Sequence, residues 1–329
     1  MFSLSVVVIS KNEEAYITRS LQSVLAAAEK IGGAEIVVVD SASTDRTVEM
    51  ARSFGVRVLS LRPEWELSPA AGRYVGFHHT GGELVMFVDA DTVIDREWLQ
   101  AARRYFALPE VAGVAGYLDD VDEEGQLLPY LGHRSAEVRA VNRLRGIALY
   151  RRAAMERAGT FNPYLITEEE AELGFRLRQH GFRLLQVPHP MGRHLRGATA
   201  HTGLLRAWRL GRFKGDGLTL RYGWRAGKSA GKSLRFCFDL MRPTIVFLAV
   251  CSLLVVGLGL FLAGYEQLGR PMLLLFLGLM VAIAIKRRSL LGPVTYVITH
   301  LLILSGLISG AFTTTIKDPQ SYPLDVISH

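Results

Sequence analysis

The 329-residue chain has only two cysteines, Cys237 and Cys251, both in or beside a long apolar stretch. Neither a disulfide framework nor a cysteine-based zinc site can be built from them, which fits a reducing compartment. Internal repeats and low-complexity segments are absent as well. No basic leader precedes the first apolar run, "MFSLSVVVIS", and no small-residue cleavage pattern follows it. That run therefore predicts a first strand rather than a signal peptide, with the amino-terminal part in the cytosol.

Acidic residues are scarce in one region. From Arg193 to Arg242 twelve Lys/Arg face only Asp216 and Asp239, a balance of +10 within a formal net charge of +7. After Pro243 the balance is +2, so the residues before Arg193 sum to −5. The basic stretch is interleaved with Trp208, Phe213, Tyr222, Trp224 and Phe236. Beside long apolar runs this pattern predicts a segment lying on an anionic lipid surface, not a nucleic-acid polymer site. Apolar runs over 243–264, 268–285 and 290–312 predict three membrane spans, the second reaching spanning length only with Leu268 and Gly269 included. A second basic cluster, Lys286, Arg287 and Arg288, falls on the same side as the first, the cytoplasmic side by the positive-inside tendency. Three crossings would leave the carboxyl terminus outside, in an integral protein of the cell (plasma) membrane. The spans lack buried carboxylates and lysines, with His300 the only titratable group in mid-span, which argues against a transport path.

The soluble part alternates β-rich runs ("LSVVVIS", "EIVVVD", "VRVLSL", "ELVMFVDA") with helical patterns such as "AYITRSLQSVLAAAEKI". That alternation predicts a mostly parallel sheet with helices on both faces, its ligand crevice beyond the carboxyl ends of the strands. Asn12 and Glu13, Asp40, and Asp89 with Asp91 all sit just past such ends. "HHTGGEL" and "DDVDEEGQ" read as ordinary loops. Domain boundaries are expected as 1–192 for the catalytic domain, 193–242 for the basic interfacial segment and 243–329 for the transmembrane module.

"MFVDADTVID" poses the chemical question, because two carboxylates one residue apart end an otherwise buried run. Together they can face one divalent cation, and hard oxygen ligands suit Mn2+ or Mg2+. The blocks "VVVISKNEEAYITRSLQSVL", "EIVVVDSASTDRT", "SPAAGRYVGFHHTGGELVMFVDADT" and "TEEEAELGFRLRQHGFRL" together resemble the family 2 glycosyltransferases, in the family's order and over roughly residues 4–200. The resemblance implies a GT-A fold, Rossmann-like, and inverting, metal-dependent transfer of one sugar from a nucleotide-diphosphate donor. It implies that Ser10, Asn12, Glu13, Asp40, Ser43, Arg73 and Asp89 lie near the donor. Asp40 would be against the base and Arg73 near the phosphates, with Asp89 and Asp91 as the metal and diphosphate pair. His194 stands where the family often has a histidine reaching the metal, with His189 and His201 as competitors. The family's Glu-Asp motif is matched by Glu169-Glu170, one of which would serve as base for a hydroxyl acceptor.

Other readings stand beside these. Asp40 could be a turn residue capping the next helix, although Ser43 or Thr44 could cap it instead. Thr167 with Glu170 fits a capping box. His78 and His79 have no ligand partner in view. Trp208 and Trp224 lack the Gln-x-x-Arg-Trp spacing of processive polysaccharide synthases, which argues against polymer extrusion. The acceptor is expected to be a lipid or lipid-linked hydroxyl. A polyprenyl-phosphate glycosyl synthase, whose phosphate nucleophile needs no base, and a non-catalytic scaffold of a glycan assembly complex are the alternatives.

Overall fold

The computed structural model describes residues 2–122, 126, 127, 136–195, 208, 211–287, 290–313 and 315–329. It forms two units, Met1–Thr202 with Ile316–His329, and Gly203–Thr315. His201, Arg288 and part of the basic stretch (196–207, 209 and 210) lie outside the described residues.

The first unit begins with β1 (Leu4–Ser10), α1 (Ile17–Lys30), β2 (Glu35–Asp40), α2 (Thr47–Arg52), β3 (Arg57–Ser60), α3 (Pro69–His78) and β4 (Leu84–Asp89). Next come β5 (Thr92–Ile94), α4 (Trp98–Arg103), β6 (Val111–Val121), β7 (Arg139–Val141) and β8 (Ala148–Arg151). It ends with α5 (Arg152–Ala158), α6 (Glu169–Gln179) and β9 (Arg183–Leu195). The second unit holds α7 (Arg212–Ala226), α8 (Ala230–Leu262), α9 (Glu266–Arg287) and α10 (Gly292–Thr313), after which β10 (Ile327–Ser328) returns to the first unit.

Strand order is β10-β3-β2-β1-β4-β8-β6-β9-β5, with β7 also on β9. β3, β2, β1 and β4 run parallel, and β8 enters antiparallel to β4. This is the α/β architecture expected from the alternating pattern. β1 is central, so all seven of its residues are buried and it reads as a continuous β-branched run rather than an alternating one. α1 packs Ile17, Leu21, Val24 and Ala28 inward at helical spacing. α3 starts with Ser68 accepting from Ala71 N at 3.0 Å and Pro69 in its first turn. α3 lies close on the sheet because Gly76 has no Cβ. One added there would overlap Val7 and lie 3.2 Å from Val39 Cγ2. That approach sets the depth of Arg73, three residues earlier.

Several boundaries differ from expectation. β9 runs through Gly192 to Leu195, because its last residues pair with both β5 and β6, so a domain edge at 192 would cut a strand. Asp119, Asp120 and Val121 belong to β6 and not to a loop, since β9 carries the pairing that far. Residues 316–329 belong to the first unit, not to a membrane module: Ile327 and Ser328 pair antiparallel with Ser60 and Leu59, and Arg62 binds Asp325 at 2.8 Å. A strand in the sheet of the first unit shares that sheet's side of any membrane, which corrects the expectation of a carboxyl terminus on the opposite side.

Gly76→Ala should overpack the interface between α3 and β1 and lower stability by about 1–3 kcal/mol. Thermal unfolding of the detergent-solubilised protein checks it, as a drop in Tm.

Candidate active site

Ser10, Asp40 and Asp89 are the last residues of β1, β2 and β4, and Ser10 is in register with Asp40. The pairing rules of a parallel sheet thus bring together residues far apart in sequence. Asp40 is buried, accepting from Ser43 N at 2.8 Å, from Ser43 Oγ at 2.5 Å and from Ser10 Oγ at 3.2 Å. Its carboxylate braces the loop after β2 and does not cap α2. Asp45 accepts from Thr47 N at the start of that helix at 3.0 Å, so neither Ser43 nor Thr44 fills that role. Asn12 fastens the β1 loop to the β2 loop: its N donates to Ser43 Oγ at 2.8 Å and its Oδ1 accepts from Thr44 N at 2.8 Å.

Among the described residues, the non-glycine positions with positive φ are Asn12 at 56°, Ala42 at 56° and Glu168 at 58°. All stand in loops flanking these carboxylates, a concentration of backbone strain that marks functional sites. Glu168 precedes α6 and is its N-cap, so the helix starts at Glu169 and not from Thr167 as the capping-box reading expected.

Arg73 is buried at 2% exposure. Its Nη2 donates to Asp89 Oδ1 at 2.8 Å and its Nη1 to Glu169 Oε1 at 2.7 Å. Burial works against its charge, but Asp89, Glu169 and Glu170 more than reverse this and hold the guanidinium firmly protonated. Both terminal nitrogens are engaged by carboxylates, so Arg73 links the strand-end acid to the acid at the start of α6. Glu169, buried against it, is raised by burial first and by Glu170 second, with Arg73 pulling the other way. Glu170 is only half-buried and faces the opening that Gly146 leaves, where an added Cβ would lie 3.1 Å from Glu170 Oε1.

Asp91 accepts from or pairs with His194 Nε2 at 2.9 Å, while His194 Nδ1 lies 3.1 Å from Asp120 Oδ1. Asp120 escaped the sequence reading because its "DDVDEEGQ" context resembles a loop; the clue was the unbroken apolar run that β6 makes before it. His189 is engaged elsewhere, by Arg104 and by Tyr105 Oη at 3.3 Å. His79 meets Arg57 and Leu324 O, a structural role. The second oxygen of Asp91, Oδ1, is buried without a hydrogen-bond partner. Such an orphan acceptor beside an imidazole fits a hard divalent cation. Among the described residues no three His, Cys, Asp or Glu form a closed cage, so the fit is to an open site completed by substrate or water. Glu13, half-buried nearby, is raised to about 7 by burial first and by the charges of Asp91, Asp45 and Asp89, against His194.

The glycosyl transferase family 2 model matches residues 5–164. Among curated relatives, the chain is 32% identical over 108 residues to the poly(ribitol-phosphate) β-N-acetylglucosaminyltransferase TarS of Staphylococcus aureus, covering 32% of this chain and 19% of that one. It is 28% identical over 117 residues to the 4,4'-diaponeurosporenoate glycosyltransferase of Staphylococcus haemolyticus, covering 34% and 30%. The matches therefore span a third or less of these relatives. The structure of the mannosyltransferase PcManGT from Pyrobaculum calidifontis, in complex with GDP-Man and Mn2+, superposes with a TM-score of 0.66 at 18% identity, covering 95% of this chain and 88% of that one. That likeness shows the GT-A fold.

Gly146→Ala would place a methyl group on Arg73 Nη2. It should displace the guanidinium from Asp89 and destabilise the site, with Gly146→Val worse, read as falling Tm and weaker donor binding. Glu13 gives a pH prediction. Its folded value of about 7 exceeds its ordinary 4.5, so between these values the folded state holds a proton that the unfolded chain releases. Stability from this group is full below pH 4.5 and is lost as pH rises through about 7. Glu13→Gln should flatten the decline in Tm across that window.

With the strand-end acids, the Arg73 link and the matching family model in place, residues 5–164 are a glycosyl transferase family 2 domain.

Proposed function

We propose that this protein is an inverting, metal-dependent glycosyltransferase that moves one sugar from a nucleotide-diphosphate donor to a hydroxyl of a lipid or lipid-linked acceptor at the cytoplasmic face of the cell membrane. The observation that carries this reading is that Arg73 joins two acidic groups: Asp89, which with Asp91, Glu13 and the His194 imidazole forms one cluster, and Glu169, followed by Glu170. The PcManGT complex with GDP-Man and Mn2+ supports the donor class and the use of a divalent ion.

Asp91 and His194 would hold the cation, Mn2+ or Mg2+, with Asp89 beside them; bound there, it would neutralise the charge that develops on the departing diphosphate. Asn12 and Asp40, with Ser10 and Ser43, shape the nucleotide end of the crevice. Asp40 does so by fixing the loop after β2. Arg73 keeps Asp89 aimed while excluding water from the buried wall behind it. Glu170 is the base. It is the more exposed of the pair, and Glu169 is already committed to Arg73. Its carboxylate takes the proton from the acceptor hydroxyl as oxygen attacks the sugar carbon opposite the leaving group. Three apolar helices and the basic segment suit an acceptor presented at a membrane.

The test is mass-spectrometric product analysis of purified protein in native lipid extract, offered a panel of nucleotide sugars with and without Mn2+ or Mg2+. Asp91→Ala should abolish metal-dependent transfer, and Glu170→Gln should lower kcat by about 10²–10⁴-fold. Full activity in Glu170→Gln would shift the base to Glu169 or favour a phosphate acceptor, which the acid lability of the product would reveal. Nucleotide binding without transfer from any donor would favour a non-catalytic scaffold.

A further inference from the structure

Three helices of the second unit are each long and apolar enough to cross a membrane: α8, α9 and α10. The chain enters this unit from the catalytic unit and leaves it into the catalytic unit, where β10 extends the sheet. A chain that starts and ends on one side of a bilayer crosses it an even number of times. All three helices cannot cross.

We infer that α8 and α9 form the only transmembrane hairpin of the described residues, and that α10 lies in the membrane surface with α7 as a platform on anionic lipid. This rests on the membrane-bound reading proposed above. α8 and α9 carry the most apolar eighteen-residue windows of the three. They also pack tightly, since a Cβ at Gly269 would lie 2.6 Å from Gly257 O and 2.7 Å from Phe261 N. α9 carries the exposed Lys286 in its last turn, which keeps that end at the surface from which α8 departed. α10 begins five residues after α9 ends, and the chain is back in the catalytic unit at Ile316. Its 22 residues span about 33 Å, the thickness of the hydrocarbon, so with both ends on one side it must lie flat.

What α10 rests on agrees. Its Gly306 and Gly310 seat directly on the backbone of Phe213 and Lys214 in α7, and a Cβ at Gly217 of α7 would lie 2.7 Å from Ala311 N. α7 carries Arg212, Lys214, Asp216, Arg221 and Arg225 within fifteen residues, too many charges for hydrocarbon, so the half of α10 against it is at the surface too. The exposed groups of the pair divide by chemistry. α7 shows Arg212, Lys214, Trp224 and Arg225, which suit headgroup phosphates and the interfacial belt. α10 shows Val294, Ile298, Leu301, Ile308 and Phe312 along one stripe, which suits shallow burial among acyl chains.

The test uses the full chain with Cys237→Ser and Cys251→Ser, carrying one new cysteine at a time. Ser53→Cys reports the catalytic unit, Asp325→Cys the tail and Tyr265→Cys the turn between α8 and α9; all three positions are exposed. A membrane-impermeant maleimide on sealed vesicles of either orientation should label Ser53→Cys and Asp325→Cys together, and Tyr265→Cys only from the opposite side. A fluorophore on Ile298→Cys should be quenched by headgroup-level quenchers and one on Val255→Cys by mid-acyl quenchers, in vesicles containing anionic lipid. Asp325→Cys labelled from the Tyr265→Cys side, or deep quenching at Ile298→Cys, overturns the inference while leaving the enzyme membrane-bound. Release of the protein by alkaline wash, with no quenching at either position, overturns the membrane reading itself.

Discussion

Arg73 is charged at 2% exposure because Asp89 and Glu169 each accept from one of its terminal nitrogens. Removing one partner from such a buried pair costs about 3–5 kcal/mol, since the charge left behind is unpaired. The rest of the site follows from satisfying this group. α3 must approach β1 closely enough to deliver the guanidinium to the strand ends, which Gly76 permits. Residue 146 must lack a Cβ where the guanidinium passes, and α6 must begin at Glu169 so that its first carboxylate points inward. A left-handed Glu168 achieves that start, at an energetic cost that only the surrounding contacts can offset.

The link also separates two tasks that a pair of adjacent glutamates could have confused. Glu169 is committed to Arg73, while Glu170 is the more exposed of the two and is the one to which the proposed function gives the acceptor. On the other side of Arg73, Asp89 is fixed by the guanidinium and Asp91 by His194, whose other ring nitrogen rests on Asp120. Asp89 and Asp91 therefore each have a partner that fixes the direction of the carboxylate, which is the requirement for electrostatic preorganisation.

Much of this was legible in the sequence because parallel strands follow a simple rule. Buried β-branched runs end at one edge of the sheet, so Ser10, Asp40 and Asp89 had to converge whatever their separation. The three long apolar helices were legible from run length alone. Three features were not. Burial of Arg73 depends on how closely α3 packs, which no local pattern in "SPAAGRYVGFHHT" specifies. Asp120 looked like a loop residue because β6 is extended by pairing with β9 and not by its own propensity. The return of the tail was hidden because β10 has two residues and gains its order from the edge of β3 rather than from its own composition.

That tail does more than close an edge that would otherwise be open to pairing with other chains. Tyr322 is buried among Trp65, Tyr74 and Tyr164, with ring centroids 5.8, 5.9 and 5.5 Å away, and its hydroxyl donates to Glu66 O at 2.9 Å. Tyr74 adjoins Arg73 on α3, and Tyr164 lies in the turn leading to Glu168 and Glu169. One aromatic from the far end of the sequence therefore braces both elements that the guanidinium links. The segment that follows the long apolar helices is thus packed behind the two elements that carry Arg73 and Glu169.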